Sequence, residues 1–392
     1  MTISLPNIPF DSRLIEYVVE LERLRGDIAA GTTSNIMFAE LHELFRLVSS
    51  LVSARIEGNR TTIYDAVTGV STGKSPNEDP GGSDSWREIT NIREAMSFID
   101  QLDPAAPISH VALRELHKLA VDGLVREGDR APGSYRTTEV GISRSAHRPP
   151  SHVYLMPELD SLLEFVNRPM PAHQQLVHTA IAHHRFLWIH PFGNGNGRVS
   201  RLLTYWMLRR HGYLSKDGLR TVNPAAVFGS DRQGYYSALA AADSLADEGV
   251  VEWATFFLQG MKRDLSRLAK LQDESFVVSE VVTPSLQRME ASGWLTRAHR
   301  GVLQRAAQLG DIKAGDVADL LPGSASVRSV ELRTLINRQL LVPISEGGRI
   351  YRPALVFNDL TPFIVRRLDQ LDLVPSILKD EILDHDVDEV RR

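Results

Sequence analysis

Apolar residues recur three and four positions apart through most of the first 275 residues, which is the spacing of amphipathic helices. The pattern is clearest in LIEYVVELERL, FAELHELFRLVSSLVSARI, WREITNIREAMSFIDQL, SHVALRELHKLAVDGL, MPELDSLLEFVN, HQQLVHTAIAHHRFLWI, VSRLLTYWMLRRHGY, RQGYYSALAAADSL and EWATFFLQGMKRDLSRLAKLQ. Residues 71–85, STGKSPNEDPGGSDS, are rich in Gly, Pro, Ser and Asp and predict a loop. We therefore expect a mainly α fold up to about residue 275.

One segment of this helical region has the composition of a strand. YRTTEVGIS, residues 135–143, places β-branched residues among polar ones directly after Gly-Ser. The pattern predicts a single β-hairpin within the helical domain.

Beyond residue 275 the pattern changes. Two helical stretches, AHRGVLQRAAQLG and VRSVELRTLINRQLL, are followed by VPISEGGRIYRPALV, which predicts two short strands joined at Gly-Gly. Helix, turn, helix and hairpin in this order resemble a winged helix. The expected regions are an N-terminal helical region (1–105), a helical core (106–275), a winged-helix-like domain (276–372) and a charged tail (373–392).

Composition and charge narrow the class of protein. The chain has 392 residues, 43% of them hydrophobic, and a formal charge of -5, which argues against a protein covered in nucleic acid. It contains no cysteine, so disulfides and thiolate metal sites are excluded. We find no apolar run of about 18 residues and no signal-peptide pattern, and we expect a cytoplasmic protein without a membrane segment.

Candidate chemistry is concentrated in HPFGNGNGRVSR, residues 190–201. Glycines that alternate with Asn before a helix let main-chain N–H groups converge on an anion at the helix N-terminus. Arg198 and Arg201 are three positions apart and project from the same side of the first turn. Two cations at this helix N-terminus interact unfavourably with the helix dipole, and a bound anion would compensate for this cost. A phosphate chain or a carboxylate is therefore the expected partner.

His190 precedes this glycine loop and can accept a proton from a hydroxyl near neutral pH, as in-line attack on a phosphoryl group requires. The alternative from spacing alone is a glycine-rich turn before a helix, with solvated arginines and a capping histidine. The residues by themselves leave both interpretations open.

The stretch IHPFGNGNGRVSR resembles the signature of the Fic (Fido) family: His-x-Phe, any residue, Asp or Glu, Gly-Asn-Gly-Arg, two residues, Arg. The segments HHRFLWIHPF, LHKLAVDGL, APGSYRTTEVGI, HRPP and DRQGYYSAL also resemble Fic segments, in Fic order, over about residues 49–258. The resemblance implies a Fic-type helical core that carries one β-hairpin flap. It also implies transfer of AMP from ATP to a Tyr, Thr or Ser hydroxyl of a target protein, with release of pyrophosphate.

The resemblance assigns roles by position. His190 would be the base, Phe192 the hydrophobic anchor of the loop, and Arg198 and Arg201 the ligands of the β- and γ-phosphates. The phosphate cradle would comprise Gly195, Asn196 and Gly197.

A second motif, SARIEGN, resembles the family's inhibitory sequence and supplies Ser53, Glu57 and Gly58. Glu57 ends a helix that Gly58 terminates, where a carboxylate meets the unfavourable end of the helix dipole and needs a cation. A solvated Glu before a helix cap is the simpler alternative. We expect an ion pair between Glu57 and Arg201 that occupies the γ-phosphate position, as in the Fic class with an N-terminal inhibitory helix.

The resemblance also places a target-docking flap, which pairs with an extended segment of the target protein by strand addition. The flap comprises Thr137, Thr138, Glu139, Val140, Gly141 and Ile142. Tyr235 falls at the position of an aromatic against the adenine, Tyr236 is the candidate core residue, and Asp243 can also face the nucleotide.

Asn194 stands where the family has an acidic residue that binds Mg²⁺. A neutral amide supplies one oxygen ligand without charge, so we expect a weakened Mg²⁺ site. Three alternatives follow: an AMP transferase with weaker Mg²⁺ dependence, an enzyme that removes AMP or uses another nucleotide, and a faintly catalytic protein that mainly binds.

A hypothesis of another class is a nucleotide-sensing regulator that binds DNA through residues 324–338 and the hairpin. The candidate contacts are Arg328, Arg333, Arg338 and Arg349. Such domains also serve in dimerisation, and a homodimer is a further expectation. A metal site among His178, His183, His184 and His190 is disfavoured because no carboxylate or thiolate joins them at ligand spacing.

Overall fold

The computed structural model describes residues 3–29, 31–73, 84–142, 145–213 and 224–381. Most of the loop predicted at 71–85, Ser143 of the predicted strand and residues 382–392 of the predicted tail lie outside the described residues. The α-helices are α1 (Arg13–Ala29), α2 (Asn35–Glu57), α3 (Ile63–Ser71), α4 (Ser85–Gln101), α5 (His110–Val121), α6 (Leu155–Asn167), α7 (Ala172–Ile189), α8 (Asn196–Arg210), α9 (Pro224–Gly229), α10 (Arg232–Ala242), α11 (Asp247–Leu268), α12 (Glu274–Phe276), α13 (Thr283–Ala291), α14 (Arg297–Leu309), α15 (Ala325–Asn337) and α16 (Thr361–Gln370).

Short helices of other types join these elements. They are 3-10 helices at His152–Tyr154, Ala269–Gln272 and Ser376–Glu381 and a π-helix at Val277–Val282. The mainly α fold predicted from the apolar spacing is confirmed.

The chain divides into two compact units. Unit 1 comprises residues 1–29, 46–61 and 75–266, and unit 2 comprises residues 30–45, 62–74 and 267–392. The division near residue 266 is close to the boundary predicted at 275, whereas two short segments of the N-terminal region belong to unit 2.

The centre of unit 1 is the pair α7 and α8, with α5 and α4 packed against α8 and α6 against α7. Residues 176–186 of α7 are buried on every side, including three histidines, and so is nearly all of α8. Both helices are therefore rigidly held, and the loop of residues 190–195 that connects them is fixed at both ends. His190 caps the end of α7 in the left-handed conformation (φ 50°), and Gly195 (φ 74°) precedes α8.

The strand predicted at 135–143 is wrong for the described part, residues 135–142, which form an irregular segment. Its main chain is used differently from a strand's: the Arg136 N–H donates to the Pro191 carbonyl (2.9 Å), and the Thr138 carbonyl accepts from the Arg136 side chain (3.1 Å). β-branched residues favour a strand only where a neighbouring strand is present to pair with.

Unit 2 contains a small antiparallel sheet of β1 (Ile312–Lys313), β2 (Leu341–Pro343) and β3 (Ile350–Pro353), in the order β1-β3-β2. Leu341 pairs with Pro353 and Ile312 with Tyr351. The two predicted strands are present as β2 and β3, and α14 and α15 as the two predicted helices. The tail predicted from residue 373 begins as packed chain, since Leu373, Val374 and Leu378 are buried.

Candidate active site

A cavity of about 1100 Å³ lies within unit 1, at the end of α7 and the start of α8. Its wall is formed by residues 193–198, the end of α2, one side of α10 and the residues at 141–142 and 145–147. His190 and Arg201 border it together with Glu57, which lies 144 residues before Arg201 in the sequence. The candidate residues of 190–201 are thus gathered around one cavity.

His190 is held in one orientation by the turn that ends α7. Its N–H donates to the Phe186 carbonyl (3.0 Å), and ring Nδ1 lies 3.3 Å from the Leu187 carbonyl. A carbonyl can only accept, so Nδ1 carries the proton and Nε2 is left able to accept one. Burial lowers the pKa of His190 to about 4, which keeps the ring neutral at pH 7.

The loop after His190 is closed by the Asn196 side chain. Its Oδ1 accepts from the Phe192 N–H (3.0 Å) and its Nδ2 donates to the Phe192 carbonyl (2.9 Å). These two bonds close a turn from Phe192 to Asn196. Within this turn, position 195 requires glycine, because a Cβ there would lie 2.7 Å from Val121 Cγ1. Asn196, predicted as part of the phosphate cradle, therefore acts first on the shape of the loop.

Phe192 packs against a residue that the sequence analysis missed. Its ring is fully buried and stacks on His117 of α5 with centroids 3.8 Å apart. His117 Nδ1 accepts from the Gly133 N–H (2.9 Å), so Nε2 carries the proton and donates to the Asn194 carbonyl (3.1 Å). Burial lowers the pKa of His117 to about 4 and maintains this neutral form.

The side chain of Asn194, which is neutral where the family has an acidic residue, determines how well a divalent cation fits here. The Asn194 side-chain amide is already hydrogen-bonded within the protein: Oδ1 accepts from the Gly195 N–H (2.7 Å) and Nδ2 donates to the Gly128 carbonyl (3.1 Å). A buried carboxylate, Asp129, accepts the Asn194 N–H (2.9 Å) from the other side of the loop. Over the described ranges no group of three or more His, Asp or Glu side chains is arranged to hold a metal ion. The residues present do not by themselves form a Mg²⁺ site.

The predicted ion pair between Glu57 and Arg201 is present. Arg201 Nη2 donates to Glu57 Oε1 at 2.6 Å, and Arg201 Nε donates to Ser53 Oγ at 2.8 Å. Burial alone would raise the pKa of Glu57, but the guanidinium groups of Arg201, Arg198 and Arg232 together outweigh burial and hold the pKa of Glu57 below its usual range. The carboxylate is therefore charged at neutral pH and its partner is the second arginine of the motif.

Glu57 also occupies the anion position at the start of α8. A Cβ on Gly197 would lie 2.5 Å from Glu57 Oε1, so the glycine is what admits the carboxylate over the first turn of the helix. Main-chain N–H groups at that turn and Arg201 form a site for an anionic oxygen. The Glu57 carboxylate lies over this turn and accepts from Arg201, as an anion at a helix N-terminus does.

Arg198 has a different environment from Arg201. It is 2% exposed, its Nη1 donates to the Ala120 carbonyl (3.2 Å), and its Nη2 donates to the Glu127 carbonyl. Its ion partner is Glu88, at 3.7 Å, whose other oxygen accepts from Asn59 of the SARIEGN motif (3.0 Å). Each of the two arginines thus has a carboxylate neighbour, Glu88 for Arg198 and Glu57 for Arg201.

The far side of the cavity is formed by α10. Tyr235 is 1% exposed, and its hydroxyl bonds His183 Nε2 (2.9 Å). The adjacent Tyr236 is 46% exposed and borders the cavity beside Arg232, which lies over its ring. The expectation that Tyr236 is a core residue is wrong, because the helix turns Tyr235 inward instead. Arg232, which the sequence analysis missed, adds a third positive charge near Glu57.

Asp243 borders the same end of the cavity, and its Oδ1 lies 3.2 Å from His184 Nε2. The other histidines of α7 have partners of their own: His178 Nε2 contacts the Phe165 carbonyl (2.7 Å) and His183 Nδ1 contacts Thr204 Oγ1 (2.8 Å). These contacts agree with the interpretation that the histidines of α7 are not metal ligands.

The segment predicted as the flap, residues 137–142, lies beside the cavity, which Gly141 and Ile142 border. Thr137, Thr138 and Glu139 are exposed. Of their main-chain groups, the Thr138 carbonyl accepts from the Arg136 guanidinium (3.1 Å).

In unit 2, the arginines predicted to contact DNA are not equivalent. Arg338 Nε donates to Asp359 Oδ2 (2.8 Å) and Arg328 Nη1 donates to the Gly323 carbonyl (2.7 Å). Arg333 and Arg349 are exposed. The exposed side of α15 also carries Val327 and Val330, so apolar side chains lie among its arginines.

Residues 107–208 match the family described as Fic/DOC. A protein adenylyltransferase Fic of Nematostella vectensis is 27% identical over 48% of this chain and 41% of its own length. One of Drosophila grimshawi is 30% identical over 50% of this chain and 37% of its own length. The chain thus spans less than half the length of these relatives.

Solved structures resemble the fold. A Fic family protein from Desulfovibrio desulfuricans, 22% identical, aligns over 90% of this chain and 98% of its own with a TM-score of 0.57. A Fic domain containing signaling protein from Bacteroides thetaiotaomicron, 18% identical, aligns over 65% of this chain and 97% of its own with a TM-score of 0.53. Among the described residues, no helix has the length and apolar character needed to cross a membrane.

Proposed function

We propose that this chain, whose residues 107–208 form a domain of the Fic/DOC family, transfers AMP from ATP to a Tyr, Thr or Ser hydroxyl of a protein. One observation carries the proposal: a histidine able to accept a proton borders the same cavity as a helix N-terminus whose anion position already holds a carboxylate. Relatives named protein adenylyltransferase support the choice of reaction.

In this mechanism the hydroxyl oxygen attacks the α-phosphorus of ATP while His190 Nε2 takes the hydroxyl proton. The bond between the α-phosphorus and the oxygen that bridges to the β-phosphorus breaks, and pyrophosphate leaves with the negative charge. Arg201, and Arg232 across the cavity, are placed to balance that charge. Mg²⁺, when bound by the phosphates, would neutralise further charge, and Asn194 would contribute less to it than a carboxylate.

We also propose that Glu57 inhibits the reaction. Its carboxylate is charged and accepts a hydrogen bond from Arg201 at 2.6 Å. It therefore occupies the guanidinium and the space over Gly197 that a phosphate group would need. A nucleotide can bind there fully only after this oxygen moves away. Residues 137–142 would supply the main chain on which the target segment is laid.

The test is mass spectrometry of the Glu57→Gly protein incubated with ATP, GTP, CTP or UTP and a cell lysate. We expect an AMP adduct at least about tenfold above wild type, since a charged hydrogen bond contributes about 1.5–3 kcal/mol. Glu57→Gln, which keeps the side-chain volume, is the matched variant and should also increase transfer. Glu57→Gly combined with His190→Asn should give no adduct.

Other results of this experiment would support one of the alternative functions. An adduct of another nucleotide would show a different donor, and release of AMP from a modified protein would show the reverse reaction. Absence of any adduct or release would contradict an enzymatic role.

A further inference from the structure

The Arg136 side chain is buried (7% exposed) directly behind His190. Its Nε donates to the His190 carbonyl at 2.8 Å and its Nη2 to the Ile189 carbonyl at 3.3 Å. These are the last carbonyls of α7, which have no partner within the helix. Arg136 therefore fixes the turn in which His190 takes its left-handed conformation.

The other edge of the same guanidinium holds the segment beside the cavity. Nη1 donates to the Thr138 carbonyl (3.1 Å), Nη2 also donates to the Pro150 carbonyl (2.5 Å), and the Arg136 N–H donates to the Pro191 carbonyl (2.9 Å). One rigid planar group thus joins Thr138 and Pro150 to the loop that carries His190. A lysine has three donors on a single nitrogen and cannot reach all four carbonyls.

The charge of Arg136 is buried without a hydrogen-bonded carboxylate. Every acceptor of its guanidinium within the described residues is a main-chain carbonyl, and Glu139 acts on it only at longer range. A cation at the C-terminal end of α7 is favoured by the helix dipole. It also opposes a second positive charge on the adjacent imidazole.

The groups around His190 shift its pKa in different directions. After burial, which lowers the pKa of His190, and the Leu187 carbonyl, which raises it, the leading charge is Arg136, which lowers it. His147 lowers the pKa further and Glu57 raises it. Arg136 is therefore the principal charge that favours the neutral base.

We infer that Arg136 is a positioning residue that sets the target-binding segment against His190 and disfavours a positive charge on that histidine. The inference rests on the proposed function, in which the segment presents a hydroxyl to His190. Arg136 would couple the segment that binds the target to His190, which accepts the proton of the target hydroxyl.

The experiment compares Arg136→Gln and Arg136→Lys with Arg209→Gln in the full chain. Arg209 is the matched control because it is also buried in unit 1 and donates to the carbonyls of Leu102 (2.9 Å) and Asp100 (2.8 Å), away from the cavity. The His190 pKa is followed by NMR of histidine-labelled protein, with the signal assigned through His190→Asn. AMP transfer is followed against pH in the Glu57→Gly background.

We expect Arg136→Gln to raise the pKa of His190 by about one unit and to move the acidic limb of kcat/KM by the same amount. Arg136→Lys keeps the charge, so the pKa should stay near its original value, while kcat falls about tenfold with little change in KM for ATP. Arg209→Gln should move neither the pKa nor the limb.

An unchanged His190 titration in Arg136→Gln would overturn the electrostatic role. A kcat in Arg136→Lys equal to that of the Glu57→Gly background would overturn the positioning role, and this variant decides it even where Arg136→Gln unfolds. If the Glu57→Gly background transfers no AMP, the proposed function fails on its own, and the NMR titration still decides how Arg136 acts on His190.

Discussion

The loop of residues 190–197 and the segment of residues 137–142 lie beside the same cavity, yet their surroundings are opposite. In the loop, Phe192, Asn196 and Gly195 are buried and each is fixed by a named neighbour. In the segment, Thr137, Thr138 and Glu139 are exposed. The groups proposed for chemistry are thus arranged by the chain itself, whereas the groups proposed for target binding are left accessible to a partner.

This difference follows from what each region has to do. A base and an anion site must be held to within a fraction of an ångström, which requires packed supports. Strand addition uses main-chain hydrogen bonds, which a side-chain core would block. The comparison can be tested by substituting residues of each region in turn.

The largest expected effect is on the support of the loop. Phe192→Ala removes a fully buried ring from its stack on His117 and should lower the free energy of unfolding by about 3–5 kcal/mol. Urea denaturation measures the change. Thr138→Ala, in the exposed segment, is the control and should change stability by less than about 0.5 kcal/mol. Equal effects of the two substitutions would show that the loop is not the more strongly held region.

His117, which supports the loop, should contribute to the pH dependence of stability. His117 has a pKa of about 4 in the folded state, below its ordinary value, so the unfolded chain binds the proton first as pH falls. The stabilisation is fully present above about pH 6.5 and is lost between there and pH 4, by on the order of 3 kcal/mol at most.

Melting temperatures across this pH range test that dependence. His117→Gln should melt at a lower temperature at pH 7 and show a weaker dependence on pH than wild type. A dependence as steep as that of wild type would place the proton uptake at other groups.

A main-chain change in the accessible segment should affect the target and leave the fold intact. Val140→Pro removes one N–H and fixes the backbone, so modification of a protein target should fall about tenfold without loss of stability. Val140→Ala, which keeps the main chain, should modify the target as wild type does. If the two variants are equally active on a target, strand addition at this segment is wrong.

The smallest expected effect concerns Asn194. Asn194→Asp adds a charge beside the phosphate site and should lower, by a few-fold, the Mg²⁺ concentration needed for half-maximal transfer. Asn196→Asp is the matched control, because it loses the bond to the Phe192 carbonyl and should reduce transfer instead. A Mg²⁺ titration in which Asn194→Asp matches wild type would contradict a metal role for this position.

Much of this arrangement could be predicted from local sequence. Helical spacing located α7 and α8, and glycines before a helix located the anion site between them. The resemblance of SARIEGN to the family's inhibitory motif, together with the need of a carboxylate at a helix C-terminus for a cation, led to Glu57 and Arg201. Only the inferences about the helices and the anion site rest on rules that act within one or two turns of chain.

Contacts between distant parts of the chain could not be predicted in this way. Nothing near His117, Glu88 or Arg136 in the sequence indicates that they support the loop, Arg198 and His190, because each contact joins different elements. Tyr235 and Tyr236 differ by one position, and only the packing of α10 decides which of them turns inward. The segment at 135–142 has the residues of a strand but lacks the neighbour that would make it one.

The backbone of His190 has a consequence for experiments that vary this position. A φ of 50° is tolerated by Gly and Asn at little cost, but it penalises alanine and, more strongly, β-branched residues. A saturation library at this codon would therefore mix two kinds of loss, one in proton transfer and one in expression. Asparagine at position 190 separates the loss of proton transfer from the loss of expression. An active variant with valine at this position would need a different backbone conformation in the turn.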